Sequence, residues 1–259
     1  MRVDKTAIKR AFAAANSGYD QAASLQRTVG LSLLNKLDLQ QLNGTVLDLG
    51  CGTGFLTAAL LQHSTPATML ALDIALPMLL TTKAKLATQQ PLAYLCADAE
   101  HLPLATQSID SVVSNLALQW CPQLPTVFAD LKRILKTNGL LAFSTFGPQT
   151  LNELKTAWAS VDNYHHVNDF YSPEQLQAFL HATGYRQIDI TRQVIVTPYA
   201  TVLDLMHELK QLGAHHVISQ RKPHLTTKSA LHAMTAAYPK TANGQVLATF
   251  EIIYGVARG

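Results

Sequence analysis

Five short apolar runs, each followed by a turn and a helix-like stretch, constrain this chain more than any other feature. They are Thr45 to Leu49, Ala67 to Asp73, Leu92 to Asp98, Ile109 to Asn115 and Gly139 to Phe146. Runs so short and so apolar suit strands buried on both faces, and parallel neighbours of that kind need helical crossovers. Alternation of this sort over more than a hundred residues predicts an α/β protein with a doubly wound, mostly parallel sheet. Composition supplies the core it requires: 48% of the 259 residues are hydrophobic and 14% charged, which excludes a disordered or low-complexity chain.

Two helices are expected ahead of the first strand, Asp4 to Ala15 and Gln21 to Leu37, around the break Asn16-Ser-Gly-Tyr19. After the fifth strand come a helix at Leu151 to Ala159 and a well-capped one from Ser172-Pro-Glu-Gln175 to Ala182. A sixth strand is expected from Arg186 to Val196, broken by Pro198, and a seventh from Gln245 to Val256. Helices at Thr201 to Leu212 and Thr227 to Ala237 fall between these last two strands. The chain therefore reads as one domain over 1–259, with an N-terminal helical cover (1–40) and a helical insertion (199–243) of the kind that often covers an active site. No apolar stretch approaches the roughly 20 residues of a membrane span, and no signal-peptide core follows Met1. Cys51, Cys96 and Cys121 form no framework, which fits a reducing cytoplasm.

Chemistry concentrates in Val46-Leu-Asp-Leu-Gly-Cys-Gly-Thr-Gly-Phe-Leu56. A strand ends at Leu49; Gly50, Gly52 and Gly54 then permit a tight turn with a ligand close to the backbone, and a helix points its N-terminus at that ligand. The spacing G-x-G-x-G, with Asp48 two residues ahead, departs from the nicotinamide fingerprint G-x-G-x-x-G, and the loop lacks the Lys-Ser/Thr of a triphosphate site.

Asp48 to Gly54 resembles the first motif of class I S-adenosylmethionine-dependent methyltransferases. Asp73 and Asp98, at the ends of the second and third strands, fall where that superfamily binds the ribose hydroxyls and the adenine amine, with the Ala99 amide near the ring. The resemblance narrows with Phe12, Tyr19-Asp-Gln-Ala-Ala-Ser-Leu-Gln-Arg27, Ser114-Asn-Leu-Ala-Leu-Gln-Trp-Cys121, His166-Val-Asn-Asp-Phe170 and Gly213-Ala-His-His216. Together these are similar to the malonyl-acyl-carrier-protein O-methyltransferase family, from Phe12 to Gly255. One departure is Ala75, where many relatives carry a helix-capping Ser.

The resemblance implies a seven-stranded Rossmann-like methyltransferase sheet, S-adenosylmethionine as cofactor and malonyl-acyl-carrier protein as methyl acceptor, with malonyl-coenzyme A as a second possible acceptor. The ester formed would prime biotin synthesis. Methylation of a free small carboxylic acid or a quinone-like ring are the enzyme alternatives; a silent cofactor-binding regulator is a third. The implied cofactor residues are Tyr19, Gln26, Asp48, Gly50, Cys51, Gly52, Gly54, Asp73, Ile74, Met78, Asp98, Ala99, Glu100, Asn115, Leu116 and Gln119. Tyr19 is also either a core aromatic or a residue touching substrate, and His166 either a structural histidine or a substrate hydrogen-bond donor. No metal site is expected, because adjacent His165 and His166 face apart and have no third ligand at suitable spacing.

The formal net charge of +3 lies entirely in 199–240, where Lys210, Arg221, Lys222, Lys228 and Lys240 face only Asp204 and Glu208. This segment is either a solvated surface or a docking rim for an acidic carrier, with Arg221 and Lys222 as the rim candidates. Nothing approaches the Lys/Arg stripe of a nucleic-acid binder.

Overall fold

The computed structural model describes residues 5–16, 18–88, 92–214 and 226–259. Three N-terminal helices, α1 (Lys5–Ala15), α2 (Tyr19–Ala22) and α3 (Ser24–Leu34), precede an alternating series. It runs β1 (Thr45–Leu49), α4 (Phe55–His63), β2 (Thr68–Asp73), α5 (Leu76–Lys85), β3 (Leu92–Cys96), β4 (Ile109–Asn115), α6 (Leu124–Ile134) and β5 (Leu135–Phe146). Then follow α7 (Asn152–Ala159), α8 (Pro173–Ala182), β6 (Arg186–Tyr199), α9 (Val202–Gln211), α10 (Lys228–Ala237) and β7 (Val246–Arg258). The seven strands form one sheet in the order β3-β2-β1-β4-β5-β7-β6, parallel except for β7, which pairs antiparallel with both β5 and β6.

Side chains alternate across this sheet and build a core on each face. Val46, Val113, Ala142 and Ile252 pack with α3, α4, α7, α9 and α10 on one side. Leu47, Val112, Leu141 and Ile253 pack with α6 and α8 on the other. Double-sided burial is why the central runs read as continuously apolar. The third run behaves differently: β3 is an edge strand with only β2 as neighbour, so most of its residues keep some exposure.

Two local expectations are corrected. β6 continues through Pro198, which sits opposite Leu247 in the ladder. An edge strand tolerates a residue without an N–H on its open side, and β6 is the other sheet edge. The expected Gln21 to Leu37 helix is interrupted at Ala23 (φ −85°, ψ 31°), which is buried together with Ala22 against Leu212. Alanine gives no local warning of such a break, because a contact made far along the chain places it. Among the described residues, no helix is long and apolar enough to cross a membrane.

Candidate active site

Two adjoining cavities open at the C-terminal ends of the parallel strands, where open α/β sheets bind ligands. The smaller, about 100 Å³, begins at the glycine loop. Gly50 N–H and Cys51 N–H both donate to Leu72 O, at 2.8 and 2.9 Å, tying the loop to β2. Gly50 has φ +79°, and a Cβ there would come within 2.3 Å of Ala117 Cβ. Gly52, at φ +54°, faces open space and donates its N–H to Asp73 Oδ2 at 2.9 Å.

Asp73 is the most fully placed acid of the site. Its Oδ1 accepts from Ala75 N–H at 2.8 Å, which holds the carboxylate at the start of α5. Burial raises its pKa, while the Ala75 and Gly52 amides oppose that rise. Asp98 bonds Glu100 N–H at 2.9 Å and forms an ion pair with Lys5 at 2.6 Å; Glu100 also pairs with Lys5. Ile74, Met78, Ala99, Asn115 and Leu116 complete this wall among the predicted residues. Asn115 is largely committed to the scaffold: its Nδ2 donates to Gln26 O at 2.9 Å and its Oδ1 accepts from Ser144 Oγ at 2.7 Å.

Several predicted cofactor residues lie elsewhere. Asp48 is fully buried beneath the loop, accepts from Thr57 Oγ1 at 2.5 Å and lines neither cavity. Burial pushes its carboxyl up to about 7, against the Thr57 hydrogen bond. Its place is to join β1 to α4. Cys51 turns into a cluster with Ala71 and Leu79, where burial raises the pKa of its thiol. Gly54 caps α4 against Thr82, and Glu100 holds Lys5 without lining the cavity. Gln26 and Gln119 line the larger cavity instead.

That larger cavity, about 220 Å³, shares Phe12, Tyr19, Leu116 and Trp120 with the smaller one. Tyr19 therefore stands at the junction. Burial, reinforced by the charges of Asp73 and Asp20, raises its hydroxyl, which stays a protonated donor. His166 lines the larger cavity, stacked on Trp158 with ring centroids 3.8 Å apart, and its Nε2 lies 2.8 Å from Asp162 Oδ1. His165 is exposed at its rim. Gln26 Oε1 is buried with no partner among the described residues. Arg221 and Lys222, the candidates for a docking rim, and His216 lie outside the described residues.

Residues not singled out from sequence contribute much of both walls. α1 supplies Lys5 and Ile8 to the smaller cavity. Their helical spacing from Phe12 was the available signal, but it does not say what the helix covers. Thr150 is set by buried Glu251, whose Oε2 accepts from Gln149 N–H at 2.8 Å and whose backbone exchanges hydrogen bonds with Thr150 Oγ1. Glu208 enters from α9, held by Tyr199 O–H donating to its Oε1 at 3.0 Å; burial raises its pKa and that bond opposes the rise.

The smaller cavity fits S-adenosylmethionine by the chemistry of its donors. Two amides occupy part of the Asp73 carboxylate, leaving acceptor capacity for a vicinal diol. Asp98 and the Ala99 backbone suit an aminated heterocycle, the open space at Gly52 admits a ligand against the backbone, and acidic walls suit a sulfonium cation.

Fold and site together define an S-adenosylmethionine-dependent methyltransferase. A methyltransferase-domain family matches residues 47–143. The fold is shared with a protein of Bacillus halodurans (TM-score 0.64, 14% identity, covering 89% of this chain and 98% of that one). It is also shared with phosphoethanolamine N-methyltransferase 2 of Haemonchus contortus in complex with S-adenosyl-L-methionine (TM-score 0.54, 15% identity, covering 88% and 51%). The chain is 38% identical to the malonyl-[acyl-carrier protein] O-methyltransferase of Gallionella capsiferriformans over 98% of this chain and 91% of that one. The chain belongs to the malonyl-acyl-carrier-protein O-methyltransferase family.

Proposed function

We propose that this enzyme methylates the free carboxylate of malonyl-acyl-carrier protein, giving the methyl ester that primes biotin synthesis in the cytoplasm. The observation that carries the reading is the pairing of a cofactor cavity with a larger, mostly apolar acceptor cavity through Tyr19 and Leu116. Full-length similarity to a protein named for this reaction supports it.

When bound, S-adenosylmethionine would supply an electrophilic methyl for the acceptor carboxylate. The acceptor is already ionised near neutral pH, so the site needs no general base. What it must do is place and desolvate an anion. On this reading Asp73, Asp98, Gly50, Gly52, Ile74, Met78, Ala99, Asn115 and Leu116 hold the cofactor. Tyr19 closes the junction, and His166, oriented by Asp162 and Trp158, hydrogen-bonds the acceptor carboxylate. Among the described residues no Lys or Arg lines the acceptor cavity.

The N-terminal segment 1–40 and the insertion 199–243 act as the cover. Ion pairs of Lys5 with Asp98 and of Lys85 with Asp20, and a Thr81–Asn16 hydrogen bond of 2.9 Å, support that role for the N-terminal helices. The basic part of the insertion, with Arg221 and Lys222, receives the acidic carrier. Isotope transfer from labelled cofactor to malonyl carrier protein, malonyl-coenzyme A and small acids tests the assignment. Label is expected on the carrier substrate; label only on a free acid would overturn it.

A further inference from the structure

Few of the described residues that line the acceptor cavity can carry charge. Among its described lining residues, the groups that can carry charge are His165, His166 and Glu208. His166 sits on the α7 side, stacked on Trp158. Glu208 approaches from α9 and is fixed in place. Thr201 and Asp204 form a reciprocal cap that starts α9, Val202 and Leu205 anchor it in the core, and buried Tyr199 donates to Glu208 Oε1. Leu212, four residues on, packs on Ala22 and Ala23 beside Tyr19. Glu208 and Leu212 are four positions apart on the same helical segment, about 6 Å of axial rise.

We infer that Glu208 is a specificity-determining residue whose carboxylate rejects acceptors bearing a second negative charge, so that the cavity takes a carboxylate with an uncharged far end. The inference rests on the acceptor reading above. A malonyl thioester meets the condition, since one end is a carboxylate and the other a neutral thioester. Free malonate has the same carbon skeleton but brings a second carboxylate, and like charges confined in a poorly hydrated cavity repel far more strongly than in water. Discrimination by repulsion is a recognised route to specificity where attractive contacts to two ligands are nearly equal. It also explains an otherwise unfavourable choice, an acidic side chain in the wall of a cavity for anions.

The test uses two probes differing only in charge, malonate and monomethyl malonate, titrated calorimetrically onto the enzyme loaded with S-adenosylhomocysteine. Wild type should bind the monoester at least about tenfold more tightly than the dianion. Glu208→Gln, which retains an acceptor for Tyr199, should bring the two within about threefold by a gain for malonate, with the affinity for S-adenosylhomocysteine unchanged. Glu208→Ala should shift the ratio in the same direction. A ratio unmoved by either substitution, or an equal loss for both probes, would overturn the inference. Failure of the acceptor reading has a separate signature: no methyl transfer to malonyl carrier protein, with charge discrimination between the probes intact.

Discussion

The cofactor cavity and the acceptor cavity meet at four side chains, yet they are assembled from opposite kinds of chain. Apart from α1 and Tyr19, the cofactor cavity draws on residues 49–121, the tips of four neighbouring strands and the turns that follow them. The acceptor cavity gathers α1 to α3, the turn after β4, the stretch from Phe146 to Phe170, α9 and Phe250 of β7. Polar groups in the first are set by backbone close in space and sequence, as when Gly52 and Ala75 amides fix Asp73. Those in the second depend on second partners on other elements: Tyr199 behind Glu208, Trp158 behind His166. The first cavity is thus a property of a sheet edge, the second a property of how elements distant in sequence pack beside that edge.

Substitutions can separate the two. The largest effect is expected at Gly50→Ala, where the new methyl meets Ala117 at 2.3 Å in a backbone conformation unfavourable to side chains. Stability should fall by about 1–3 kcal/mol, with cofactor affinity lost alongside it; thermal melts and calorimetry read both, and intact cofactor binding would contradict the loop's assigned part. Asp73→Ala should weaken cofactor binding by about 1.5–3 kcal/mol through lost hydrogen bonds to a charged acceptor. Calorimetry showing unaltered affinity in a folded variant would remove Asp73 from the cofactor site.

On the acceptor side, His166→Gln should raise KM for the malonyl substrate about three- to tenfold, the scale of one hydrogen bond, while leaving the cofactor Kd in place. A matching loss of cofactor affinity would mean that the two cavities are not separable at this wall. Lys5→Ala should have the smallest effect. Its ion pairs with Asp98 and Glu100 are partly exposed, and such pairs contribute about 0–1 kcal/mol. Cofactor affinity should change by less than about fivefold, and less still in high salt; a tenfold loss would make Lys5 a direct ligand-binding residue.

Legibility in the sequence followed the same division. The strand order's central part, the glycine turn and the strand-end positions of Asp73 and Asp98 were readable because each is written in consecutive residues. Even there the reading conflated two neighbours: Asp48 and Asp73 both end a strand, but only Asp73 faces the cavity, while Asp48 is enclosed between β1 and Thr57 of α4. Gln26 and Gln119 line the larger cavity and not the smaller one.

What the sequence by itself determined is the parallel sheet, through apolar runs that can only be satisfied by burial on both faces, and the cofactor loop, through glycines whose backbone angles other residues resist. Only the tertiary structure decided which acids point into a cavity, that β6 runs through Pro198, that a helix breaks at Ala23, and that Lys5 and Glu208 stand in the walls. The physical reason is common to all of these. Backbone conformation and strand burial are governed by residues a few positions apart, whereas the environment of a side chain is set by whatever distant element packs against it, and one sequence records that partner nowhere near the residue it positions.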